Sequence, residues 1–396
     1  MTLGKRIRAR RLVLGLTQAD VVRGLAAVEN TPLTKAALSK YEIGKSEPRA
    51  TVLLSLARIL QCKPEYFLPK PEFRVEWIAF RRKAGLGKTE QERILETARE
   101  HVNANICFQE LLGDTTTPVK REARVITSLE AAETVAQDIR TEWGIGFWPI
   151  ESITSALEAD GVTIIPVAGR PGFDGLSGFA DATFPFVVCN QNAPIDRYRM
   201  NLAHELGHLV IEPTRDEKLD EALAFRFAGA LLAPAEMVFK TVGQKRSQVD
   251  IRELLMLKEE YGISIQALIR RLLDLEIISQ SQYREMHIRV RRSGFHVKEP
   301  GICPHPETPR DVKRMALRLV SEGIMTENEL IAQFPFLQGD VGSSEAESLW
   351  QWRNLERSTP DARSRTLKAA AEAAQDHYHD GGDLAGFDAD DELWEY

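Results

Sequence analysis

A mainly α fold with a small β-sheet (α+β) is predicted, and three observations carry the prediction. Apolar residues at Ile7, Leu12, Leu16, Val21, Leu25, Leu38, Leu53, Leu56 and Leu60 fall at helical spacing along the head of the chain. Two runs read as strands, GVTIIPV at 161–167 and PFVVCN at 185–190. Behind them come two strong helical patterns, Asp196 to Glu212 and Asp216 to Ala233, each ended by a proline, Pro213 and Pro234.

The 396 residues are enough for two to four domains at about 100–200 residues each. Five segments are expected: a head at 1–70, a helical linker or dimerisation segment at 71–125, a mixed domain at 126–290, a helical region at 291–374 and an acidic, disordered tail at 375–396. The linker holds Trp77, Ile78 and Phe80 and breaks near Gly85–Gly87 and Thr115–Pro118. No run of about 18 apolar residues exists, and the basic N-terminus is too interrupted for a signal peptide. The expectation is a cytoplasmic protein with no membrane partner. Cys62, Cys107, Cys189 and Cys303 are far apart and read as reduced thiols.

The net charge of −7 is uneven: residues 1–70 carry 13 Lys and Arg against 5 Asp and Glu, so the rest of the chain is strongly acidic. A basic head on an acidic body points to an anionic partner for the head alone. Within it, Thr17 is placed to cap a second helix and Thr34 a third, which runs from Lys35 to Tyr41 and ends at Gly44. Two such helices suit a helix-turn-helix, the second entering the major groove of double-stranded DNA. The expected contacts are Gln18, Thr34, Lys35, Ala36, Ser39, Lys40 and Lys45, with Arg6, Arg10, Arg11, Lys45 and Arg49 on phosphates. A helical protein-docking module is the plainer alternative.

Arg8 to Arg11, the run Gly15-Leu16-Thr17-Gln18, the run Leu38-Ser39-Lys40-Tyr41-Glu42-Ile43-Gly44-Lys45-Ser46-Glu47-Pro48 and Leu56 to Leu60 resemble the Xre-type, phage-repressor-like helix-turn-helix family. The resemblance implies a five-helix DNA-binding domain. Paired heads would match paired half-sites, so a homodimer is expected.

His204-Glu205-Leu206-Gly207-His208 is an HExxH sequence. Residues four apart on a helix share a face, so two imidazoles can hold one zinc ion while Glu205 reaches its water as the catalytic base. Glu221 lies 13 residues beyond His208, early on the next helix. Two antiparallel helices joined by a short turn would bring its carboxylate to the zinc, leaving the fourth position open. Another divalent transition metal would suit the same donors. Tyr198 and Arg197 are candidates to stabilise the transition state, or else packing and surface residues. Pro185 to Asn190 is the expected edge strand for an extended substrate.

The run from Arg197 to His208, then Glu221, Ala224, Phe227, Ala228, Leu231, Leu232 and Pro234, resembles the ImmA/IrrE-type metallopeptidases. Gly175 to Phe179 upstream and Leu257 to Leu272 downstream extend the likeness. It implies a zincin-like domain with His204, His208 and Glu221 as ligands and Glu205 as base. One departure stands out: where the family usually has a polar residue after Ala224, this chain has Phe225.

The combination implies a transcriptional regulator whose zinc endopeptidase cuts a partner protein, a repressor or antitoxin. The alternatives are a one-component transcription factor with a non-catalytic sensor domain, and the toxin or defence half of a toxin–antitoxin pair.

Overall fold

The computed structural model describes residues 3–27, 32–62, 64–67, 75–77, 87–113, 122–168 and 173–341. Residues 28–31, Ile78, Phe80, the break at Thr115–Pro118 and the acidic tail lie outside them. Met1–Pro335 form one compact unit; from Phe336 onward lies a second, of which a short helical turn, Gln338–Val341, is described. Among the described residues the fold is mostly helical with a small mixed sheet, as the sequence predicts.

The head is built from α1 (Leu3–Val13), α2 (Gln18–Ala27), α3 (Lys35–Glu42), α4 (Ala50–Ile59) and a closing 3-10 turn, Pro64–Phe67. Ile7, Val21, Leu25, Leu38, Leu56 and Leu60 form its core. Thr17 and Asp20 bond reciprocally at the start of α2, satisfying amides that the helix leaves open. The Thr34 hydroxyl accepts from the Ala37 amide at 3.1 Å and caps α3. Gly44, at φ +75°, lets the chain leave α3 through a left-handed turn that L side chains resist.

A short strand, β1 (Val75–Trp77), precedes the long helix α5 (Lys88–Leu112). Then come α6 (Leu129–Glu142), α7 (Ile153–Ala159), β2 (Thr163–Val167), β3 (Gly175–Ala180) and β4 (Phe184–Asn190). The sheet order is β1-β3-β4-β2, with β2 parallel to β4 and the other pairs antiparallel. β4 is apolar from Phe184 to Cys189 because it is an inner strand, covered on both faces. This corrects the expectation that Pro185 to Asn190 form an edge: Ser177 faces Val187 on one side and Ile165 faces Val188 on the other.

Side chains alternate across the sheet as the pleat requires. Ile165, Val167, Leu176, Phe186 and Val188 meet Ile94, Ala98, Val102 and Ile106 of α5. Ile164, Val187 and Cys189 face the larger core, which contains α8 (Ile195–Val210) and α9 (Glu217–Leu232). The fold continues with α10 (Ala235–Val242), α11 (Ile251–Tyr261), α12 (Ile265–Asp274), α13 (Gln280–Arg292), α14 (Asp311–Ser321) and α15 (Glu327–Gln333).

α5 also packs on α1, with Arg8 to Glu92 at 2.7 Å and the Tyr66 hydroxyl donating to Glu100. One helix thus joins the head to the sheet. Among the described residues no single helix is long and apolar enough to cross a membrane.

The segment between α13 and α14 acts as a strap. Glu299 accepts from the first amides of α12, Ile265 and Gln266, and from Lys258. Glu307 accepts from the first amides of α7, Ile153 and Thr154, and pairs with Arg199 of α8. Each carboxylate meets the positive end of a helix, where orphan N–H groups point outward.

Candidate metal centre

α8 begins after Pro194, and α9 is capped by Asp216, whose carboxylate accepts from Lys218 and Leu219 amides. Pro213 and the short turn between them fold the two helices side by side. Gly207, inside HExxH, sits at their closest approach: a Cβ there would lie 3.1 Å from Ala224 Cα and from the Phe227 ring. The glycine therefore sets the spacing of α8 and α9, and with it the reach of Glu221.

His204 and His208 are both buried, with Nε2 atoms 3.1 Å apart and rings nearly perpendicular. Glu221 Oε1 lies 3.2 Å from His208 Nε2, and Oε2 3.7 Å from His204 Nε2. The three donor atoms lie within 4.8 Å of one another. Tetrahedral zinc with bonds of about 2.0–2.1 Å would hold its ligand atoms roughly 3.3 Å apart, so this donor set fits such an ion. Two imidazoles and one carboxylate are also a catalytic rather than a structural set.

Glu205 is buried beneath the same face and accepts a 2.8 Å hydrogen bond from the Ser177 hydroxyl on β3. Burial pushes its carboxyl above the usual carboxylate range, with the two imidazoles and Ser177 acting the other way. Gly175 makes the room: a Cβ there would meet Glu205 Cγ and Oε1 at 3.2 Å. Ser177 lies in the Gly175–Phe179 run that extends the family likeness, but only its place on the strand beneath α8 shows what it touches.

Phe225 is half exposed, and its ring lies against His204. The buried Nδ1 of His204 has no hydrogen-bond partner among the described residues. A metal-bound histidine usually donates its second nitrogen to a polar neighbour, and His204 as a ligand would lack that brace.

The two candidate transition-state stabilisers stand apart from this cluster. Tyr198 is buried, with its hydroxyl 3.0 Å from Cys189 Sγ. Six residues from His204 on a helix turn a side chain by about 240°, which sends Tyr198 into the core. It is a packing residue, and this corrects its assignment. Burial raises its phenol well above the ordinary value and pushes the Cys189 thiol up to about 12, so neither ionises near neutrality. Arg197 shares the His204 face but lies about 10 Å along the helix, exposed and paired with Asp174 at 2.6 Å.

In the head, Thr34, Lys35, Ala36, Lys40 and Lys45 are exposed, while Gln18 and Ser39 are half-buried. Gln18 donates to Glu42, which also pairs with Arg11 at 2.6 Å. The phosphate role expected of Arg6, Arg10 and Arg11 is corrected: all three are buried. Arg6 donates to Tyr66 O, Arg10 to Leu60 O and Gln61 O, and Arg11 to Leu16 O and Glu42. They hold the head together; a guanidinium that donates to buried carbonyls is not available to DNA.

Residues 169–273 match the IrrE N-terminal-like domain family, and residues 7–67 match the helix-turn-helix family. The chain joins an Xre-like helix-turn-helix domain to an IrrE/ImmA-like domain. The head is 39% identical over 66 residues to repressor protein C2 of Salmonella phage P22, covering 17% of this chain and 28% of that one. It is 35% identical over 68 residues to the HTH-type transcriptional regulator DicA of Escherichia coli (strain K12), covering 17% of this chain and 46% of the relative. The chain thus spans less than half the length of these curated relatives. The IrrE-like match ends before the strap, so Glu299 and Glu307 are additions to what the family likeness describes.

Proposed function

We propose that the protein is a DNA-binding transcriptional regulator whose IrrE-like domain is a zinc-dependent endopeptidase. Its substrate is a partner regulator, a repressor or antitoxin, in which one peptide bond is hydrolysed. The observation that carries the reading is the convergence of His204, His208 and Glu221 above Glu205, with Glu205 held by Ser177.

A divalent ion held by His204, His208 and Glu221 would polarise the scissile carbonyl and acidify water. Glu205 takes a proton from the attacking water and returns it to the departing amine nitrogen. Ser177 keeps that carboxylate turned toward the imidazole pair. In the head, the N-terminal turn of α3 presents Thr34, Lys35 and Ala36, with Ser39 and Lys40 one turn on, to the major groove of double-stranded DNA. Gln18 and Lys45 flank it. Paired heads on paired half-sites make the working form a homodimer.

The test is co-expression with the proteins encoded beside it, as wild type and as Glu205→Gln. Wild type shortens one neighbour; the variant keeps metal and DNA binding and leaves every neighbour intact. Cleavage surviving in the variant removes Glu205 from the base role.

Phe225 favours a second reading. With a hydrophobic ring on His204 and no brace at Nδ1, the domain would serve as a sensor that binds metal or partner and changes operator affinity without proteolysis.

A further inference from the structure

β3 is the strand on which the metal centre is built. Gly175 and Ser177 lie against Glu205, and α8 packs across β3 and β4. One edge of β3 pairs with β4; the other is the edge that an extended peptide beside Glu205 would join by backbone hydrogen bonds. That edge is already taken. Val75, Glu76 and Trp77 pair antiparallel with Ala180, Phe179 and Gly178. Among the described residues the ladder reaches Gly178, the neighbour of Ser177.

The occupying strand comes from the stretch between the head, whose last described turn ends at Phe67, and α5, which begins at Lys88. β1 lies at the end of the strand order, and among the described residues β3 is its one partner. An edge strand held on one side is displaceable, and the β3 edge beneath it is a ready template for another chain.

We infer that residues 75–77 are a resident strand on the peptide-accepting edge of β3, and that they compete with an extended substrate peptide for the metal centre. This rests on the peptidase reading of the site. Substrate then binds only as Val75–Trp77 leave β3. Because these residues are tethered to the head on one side and to α5 on the other, a partner that draws on the head shifts the resident strand's equilibrium. A resident strand favoured ten to one over its released form weakens peptide binding about tenfold.

The probe is a fluorescein-labelled peptide with the sequence of residues 71–80, PEFRVEWIAF. The protein is the full chain carrying Glu205→Gln, so that nothing is cut, with the native strand or with Val75→Gly, Glu76→Pro and Trp77→Gly together. Fluorescence anisotropy is expected to show the peptide binding about tenfold tighter to the replaced strand. Hydrogen exchange is expected to show the Phe179 amide, on the β1 side of β3, deprotected by the replacement and protected again by the peptide. Unchanged protection of β4 and α8 shows that the variant is folded. Equal affinity for the two forms overturns the inference, and so does no binding to either. Neither readout needs metal or turnover, so these results stand apart from any failure of the peptidase reading. If the peptide binds the replaced form and yet leaves cleavage of the neighbour by the Glu205 protein undiminished, competition is refuted while hydrolysis survives.

Discussion

The ring of Phe225 rests on the imidazole of His204, with centroids 4.2 Å apart and planes tilted by 41°. The residue one turn after Glu221 thus touches a proposed ligand, but through a face that offers no hydrogen-bond acceptor. His204 is left with a buried nitrogen that nothing among the described residues braces.

Phe225→Asn places a carboxamide beside that imidazole. Zinc affinity, read by competition with a chromophoric chelator, is expected to rise about tenfold, the lower end of what such a partner contributes. Unchanged or weaker affinity would show that the phenyl ring already positions His204 as well as a polar neighbour could.

Ser177→Ala removes the hydroxyl that donates to Glu205. A hydrogen bond to a charged group contributes about 1.5–3 kcal/mol, so cleavage of the partner is expected to fall by roughly tenfold or more with metal content unchanged. Full activity in the variant would mean that packing alone orients the carboxylate.

Arg199 and Glu307 form an ion pair with both side chains fully buried, and Glu307 also caps α7. Glu307→Ala leaves a guanidinium buried without its charge partner, a change that costs about 3–5 kcal/mol. Urea unfolding is the check. A loss below about 1 kcal/mol would show that the strap is dispensable.

Glu133 of α6 grips Arg226 of α9 and Arg271 of α12. Burial works to raise its pKa, but the two guanidiniums outweigh it and hold the carboxyl below the ordinary glutamate value of 4.5. A depressed carboxylate stabilises the fold above its unfolded pKa, and that contribution fades as pH falls below about 4.5 through the folded value. Glu133→Gln is therefore expected to be less stable than wild type at pH 7 by about 3 kcal/mol, and to lose less on acidification. Parallel acid-unfolding curves for the two proteins would contradict this.

The His204, His208 and Glu221 cluster was legible because its spacing is local. His204 and His208 are tied by the helical period, and Pro213 forces the turn that returns Glu221 to them. The capped helices of the head were legible for the same reason, since Thr17 and Thr34 act on amides three residues away. What escaped is non-local. Ser177 meets Glu205 across 28 positions, and Arg199 meets Glu307 across 108, so no periodicity announces either pair. Fully buried Arg140 serves carbonyls of Gly146, Trp148 and Leu231, and burial lowers its pKa to about 10. The charge of Arg6, Arg10 and Arg11 was visible in the sequence and their burial was not; hence the mistaken phosphate role. Val75, Glu76 and Trp77 continue an apolar–polar alternation from Phe73, which a linker reading hides, and the pairing with β3 reveals the strand.

The central claim is that two helices bring two imidazoles and one carboxylate to a single ion. Its most direct test is the metal content of the purified full chain, wild type against Glu221→Ala, by mass spectrometry after exhaustive dialysis. One equivalent of zinc or another divalent transition metal in wild type, with almost none in the variant at unchanged helicity, is the predicted result. A wild type without stoichiometric metal, or a variant that retains a full equivalent, would contradict it.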